Sequence, residues 1–153
     1  MERISNYNIF NNFFPGIIAG IVLGKIFNYN LITGDIVFWI FIYYFIGMIL
    51  SRIGSVILER PLLFGIKLSS KSRYVQAEKS DSKIQTLQQD ANTYRTIVAM
   101  SLVVFVALII NQICIYPLDT KYFWASVAVS VLIGILFTAS FRKQIRHIIS
   151  RIK

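Results

Sequence analysis

The chain has 153 residues, of which 56% are hydrophobic and 15% charged, and its formal net charge is +9. Its mean hydropathy is +0.62. Soluble domains carry about a quarter charged residues, and a soluble fold of this size has too little interior for so much apolar surface. These figures exclude an ordinary soluble domain and point to an integral membrane protein.

Four apolar stretches, over residues 9–27, 36–58, 97–116 and 122–141, are each near the roughly 20 residues that a helix needs to cross ~30 Å of hydrocarbon. They are continuous runs, not the period-two segments of an outer-membrane barrel, so an all-α membrane protein with four transmembrane helices is expected. The first stretch is the weakest, because Asn11, Asn12 and the pair Pro15-Gly16 interrupt it. A cleavable signal peptide is the alternative there. Against it, no small-x-small site follows and Arg3 alone marks a basic start.

The first stretch reads PGIIAGIVLGK, with Gly16, Gly20 and Gly24 four apart. That spacing lays a groove along one helix face and lets a second backbone come close. The second stretch repeats it with Gly47, Ser51 and Ser55, and the fourth with Ser126, Ser130, Gly134 and Thr138. Such faces pack either against each other within one four-helix protomer or between subunits of a homo-oligomer.

An arginine, Arg52, interrupts the end of the second stretch, FWIFIYYFIGMILSRIGSVILER. It lies about 16 residues from the start of the helix, or roughly 24 Å along its axis. Arg52 and Glu59 are seven apart, so α-helical periodicity places them on one face with Met48 and Ser55. An arginine on a small-residue face is expected to point toward protein, where it needs a carboxylate, and Glu59, Glu78 and Asp81 are the candidates. Three roles follow: a latch holding the next segment to the bundle, a ring lining an anion-selective pore in an oligomer, or simple snorkelling to the headgroups.

Segment 60–95 is polar and basic. Pro61 is expected to end or kink the second helix, and Ser69 to Ser72 to form a loop. Ser82 with Gln85 fits a capping box. From there Ile84, Leu87, Ala91, Tyr94 and Val98 recur in steps of three and four, a short heptad seam that enters the third span without a break. The third helix is thus expected to stand about 20 Å into the cytoplasm. Ile84, Leu87, Ala91, Tyr94 and Arg95 form a candidate docking surface for a cytosolic protein, or pack on Tyr74 to Glu78 of the same chain. Cys114, the one cysteine, reads as a small apolar packing residue. In the tail 141–153, Phe141, Ile145, Ile148, Ile149 and Ile152 share one face and basic residues the other. That helix either lies on the membrane or packs under the bundle. His147 falls on its polar side.

Twelve of the sixteen cations fall in 60–95 and after the fourth span, while the other two connections hold one lysine and two aspartates and only Lys25, near the end of the first span, adds to that side. The positive-inside rule then puts both termini and the middle segment in the cytoplasm, as a multi-pass protein of the bacterial inner membrane. Anionic headgroups account for this charge without nucleic acid. With one histidine and one cysteine there is no Cys/His metal cluster, and no P-loop, GxGxxG or triad pattern occurs. No acid lies at mid-membrane, as coupled transport would require. No enzymatic activity and no cofactor are expected.

SRIGSVILE (residues 51–59) followed by YVQAEKSDSKIQTLQQDANTYRT (74–96) resembles small four-span membrane proteins of bacterial antiphage operons, the membrane components of CBASS, retron or Kiwa-like systems. The matched positions include Ser51, Arg52, Gly54, Glu59, Tyr74, Asp81, Leu87 and Arg95, about a quarter of the chain. The resemblance implies an oligomeric membrane-perturbing effector, or an anchor for a cytosolic sensor. It departs from many such effectors in lacking a soluble nucleotide-binding domain. A passive channel or transporter subunit is the alternative, and a holin-like lytic protein ranks third.

Overall fold

A computed structural model describes residues 2–28, 35–66, 71–115 and 118–152. The connection at 29–34, the predicted loop residues Ser69 and Ser70, and Tyr116 at the end of the third predicted span lie outside the described residues. Among the described residues every regular element is helical: α1 (Glu2–Ile26), α2 (Ile36–Ile53), α3 (Glu59–Leu62), α4 (Lys71–Ser80), α5 (Ser82–Ile110) and α6 (Thr120–Ile152). Lys71 and Ser72, expected in a loop, are instead the first residues of α4.

A π-helical stretch, Gly54–Leu58, joins α2 to α3 in one rod, Ile36–Leu62. Pro61 accounts for it. Its ring crowds the carbonyl of Ile57 and it has no N–H to donate, so the helix widens just before it and stops just after, at Leu62. A second π stretch, Asn111–Ile115, ends α5. Asp35 caps α2 by accepting from the Val37 N–H at 3.0 Å. The cap of α5 differs from the expected box. Asp81, in extended conformation, accepts from the Lys83 N–H at 2.9 Å, and Ser82 is already helical. A carboxylate serves better than a hydroxyl there, because it meets the positive end of the helix dipole.

Two antiparallel hairpins, α1–α2 and α5–α6, pack together with α5 central. The α1–α2 contact is made by the glycine faces. A Cβ on Gly16 would overlap the Tyr43 backbone, one on Gly47 the Asn12 backbone, and Gly20 lies on the Tyr43 ring. Gly24 is buried, and Ser51 and Ser55 are half-buried. On α6, the Ser130 hydroxyl donates to the Ser101 carbonyl at 2.7 Å and Gly134 faces the Ser101 side chain, while Ser126 is exposed. These glycine and serine contacts lie within one chain.

Among the described residues, three helical rods are long and apolar enough to cross a membrane, Ile36–Leu62, Ser82–Cys114 and Thr120–Ile152; α1 has a shorter apolar part, Asn12–Ile26. Their outer faces carry an apolar belt. Exposed large apolar side chains run from Ile36 to Ile57 along the first rod, from Leu102 to Ile113 along the second, and from Tyr122 to Leu136 along the third. On the first rod that is roughly 32 Å, close to the ~30 Å of a bilayer core. Beyond these limits, toward the basic end, only Phe64 and Val75 are exposed large apolar residues among those described. The pattern fits a membrane protein.

At the basic end the interior changes character. Leu62, Ile84, Ala91, Val98, Phe141, Ile145 and Ile148 form a buried core, flanked by Tyr74, Ala77, Leu87 and Tyr94. The amphipathic tail therefore packs under the bundle, as the last third of an unbroken α6. The heptad seam of α5 finds its partner in that tail, with α4 contributing Tyr74 and Ala77. We call this assembly of α3, α4, the first half of α5 and the end of α6 the head.

Candidate functional site

Charged side chains join the helices of the head. Arg95 of α5 donates through Nη1 to Oε2 of Glu59 on α3 at 2.5 Å. Gly54 makes room for this contact: an added Cβ would stand 3.2 Å from Arg95 Cγ and from its carbonyl oxygen. The Arg95 side chain is 12% exposed and that of Glu59 is 42% exposed. The pair is thus lopsided, with a cation locked in the head and an anion that reaches water.

At the far end, Arg151 Nη1 of α6 pairs with Asp81 Oδ2 at 2.6 Å. Asp81 thereby holds two elements, capping α5 and tying down the end of α6. The Lys83 N–H, and after it Arg151, hold the Asp81 carboxyl below the usual carboxylate range. Two more bonds link the layers. Gln144 Nε2 donates to Asp90 Oδ2 at 3.1 Å, and Arg142 Nη2 to the Phe64 carbonyl at 3.1 Å. Tyr74 lines the same region, its hydroxyl pushed up by burial and then by the neighbouring Glu78 carboxylate.

The structure brings the predicted latch carboxylates into the head but pairs two of them with other cations. Glu59 pairs with Arg95 and Asp81 with Arg151, while Glu78 faces Tyr74. Arg52 is exposed and makes no ion pair among the described residues. It stands on the outer face of α2 with Phe45, Ile49 and Val56, all exposed. The expectation that it shares a face with Glu59 and points inward does not hold. The physical reason is the π stretch between them, whose wider turn rotates Glu59 out of the register that α-helical spacing gives. The buried positions of α2 are Gly47 and Leu50, and Gly54 follows in the π stretch.

Of the docking residues, Ile84 and Ala91 are buried in the head core, Leu87 and Tyr94 are packed against it, and Arg95 is in the ion pair. Their surface is occupied by the chain itself. Cys114, expected as a packing residue, is exposed. The π stretch that carries it turns Asn111 inward instead. Sequence reasoning missed Arg151 and Arg142 as tail anchors. Their signal was weak, namely cations on the polar face of the tail opposite Asp81 and the end of α3.

No known protein family, characterised protein or solved structure matches this chain.

Proposed function

We propose that the chain is a four-span protein of the bacterial inner membrane, with both termini and the head in the cytoplasm, and that the head sets the state of the spanning bundle. The sidedness rests on charge, since the cations cluster at the head end. The observation that carries the control reading is continuity. Helices α5 and α6 run unbroken from the apolar belt into the head, where Glu59–Arg95 and Asp81–Arg151 tie them to neighbouring elements. A partner that takes one of these charges alters how the helix ends are held. In the setting that the resemblance of residues 51–59 and 74–96 implies, the protein is a homo-oligomeric membrane effector in antiphage defence, or the anchor of a cytosolic partner.

Arg52 favours a second reading, a passive channel. It lies on an outward apolar stripe inside the belt, where further copies of the chain would bring several such arginines together. Membrane potential in cells carrying an inducible copy tests both readings, with and without neighbouring genes and a phage challenge. The control reading predicts depolarisation on challenge in the wild type and without challenge in Glu59→Gln. The pore reading adds that Arg52→Gln removes it. A membrane that stays polarised in every arm overturns the effector role and leaves the anchor.

A further inference from the structure

The head contains a cavity of about 510 Å³ where α3, α4, α5 and α6 converge. That is within the range of roughly 300–1,000 Å³ typical of small-molecule sites. Helix α6 lines it with apolar side chains, among them Phe141, Ile145 and Ile149. The polar lining includes Glu59 and Arg95 together with Gln88 and Asn92 of α5. An apolar wall beside a few convergent polar groups is the usual make-up of a site for an amphipathic ligand.

The ion pair decides the charge of that ligand. A guanidinium has five N–H donors, and the bond to Glu59 runs through Nη1 alone. Arg95 Nε is buried with no hydrogen-bond partner among the described residues. Arg95 is mostly enclosed by the head, whereas Glu59 is already half in solvent. The cation is fixed and its counter-charge is exchangeable. One negative charge entering as Glu59 turns out to water keeps the site balanced; a dianion would leave an excess charge in a poorly solvated place.

We propose that this cavity binds a free monoanionic amphiphile, a single carboxylate on an apolar chain, whose carboxylate replaces Glu59 on Arg95 while its chain lies along α6. The cavity stands beyond Ile57 and Leu136, where the exposed apolar belt ends. A ligand arriving from the aqueous side therefore fits it better than a two-chain lipid held in the bilayer. Exchange frees α3 from α5, and this consequence, unlike the binding itself, rests on the control reading above.

The test uses the full chain in phosphatidylcholine nanodiscs, with cis-parinaric acid as fluorescent probe, its methyl ester as uncharged control and empty nanodiscs as the partition blank. The acid is expected to bind saturably above the blank and at least about tenfold more tightly than the ester. Glu59→Gln, which removes the competitor, is expected to tighten it. Arg95→Gln loses binding, and Ile149→Trp, which fills the cavity and leaves the ion pair intact, loses it too. Equal binding of acid and ester, or no effect of Ile149→Trp, overturns the proposal. So does loss of the signal in phosphatidylglycerol nanodiscs, which assigns the cavity to a phospholipid. Binding as expected with an unchanged membrane potential in cells refutes the control reading and leaves the site standing.

Discussion

A guanidinium taken out of water needs a counter-charge, and Arg95 finds one in Glu59, whereas Arg52, near the basic end of the belt, is placed to snorkel toward the headgroups. Arg95 is nearly enclosed and has Glu59; Arg52 faces outward. Glu59→Gln leaves Arg95 without its anion, at a cost of about 1–2 kcal/mol, between the values for exposed and fully buried pairs. Thermal unfolding in detergent measures it, and the double variant Glu59→Leu with Arg95→Met is expected to recover part of the loss. The glycines divide in the same way. Gly16→Ala and Gly47→Ala force Cβ atoms into the backbone of the facing helix, where nothing can give, so each is expected to cost about 1–3 kcal/mol. At Gly134 the nearest atom is the Ser101 hydroxyl at 3.0 Å, a side-chain atom and not backbone, so Gly134→Ala is expected to cost less in the same assay. The small-residue spacing made these contacts legible in the sequence. The partner of Glu59 was not legible, because reading it from spacing assumes a regular α-helix and a π stretch intervenes.

Helices α5 and α6 do two jobs at once, apolar surface in the belt and core in the head. The seam Ile84, Leu87, Ala91, Tyr94 and Val98 and the tail face Phe141, Ile145 and Ile148 were each plain in the sequence as period-3.6 patterns. That one covers the other was not, since amphipathic faces announce a need for a partner without naming it. Truncating Ile148 to alanine opens the head core and is expected to cost about 2–4 kcal/mol in thermal unfolding. The Asp81–Arg151 pair adds a pH dependence. The Asp81 carboxyl is held below its ordinary range in the folded head, so its stabilisation is complete above that range, near pH ~4, and is lost as pH falls through the lowered value. Spin labels at Gln85 and Ser150 in a Cys114→Ser background read the tie between α5 and α6. Their distance distribution is expected to broaden on acidification below about pH 4, and in Asp81→Asn to be broad already at neutral pH.

On the scale of the whole molecule, two kinds of interior share one fold. Between Ile36 and Ile57 the first rod turns large apolar side chains outward, as a helix in lipid does, and Leu102 and Leu136 mark the same limit on its neighbours. Past that limit most apolar residues turn inward and most charged ones outward, as in a small soluble domain, with Phe64, Val75 and Arg95 the exceptions. Hydropathy made the rods legible, and charge counting predicted their sidedness. The head stayed hidden because it is assembled from four segments spread between residues 59 and 152, each too short to read as a domain. Cys114, exposed at the end away from the head, is a ready reporter of sidedness. The decisive measurement is labelling with a membrane-impermeant maleimide, before and after permeabilisation, of the wild type and of Lys143→Cys in a Cys114→Ser background. A cytoplasmic head predicts that Cys114 reacts in intact spheroplasts and that the cysteine at position 143 reacts only once the membrane is opened. The reverse pattern, or both positions reacting from the same side, would contradict it.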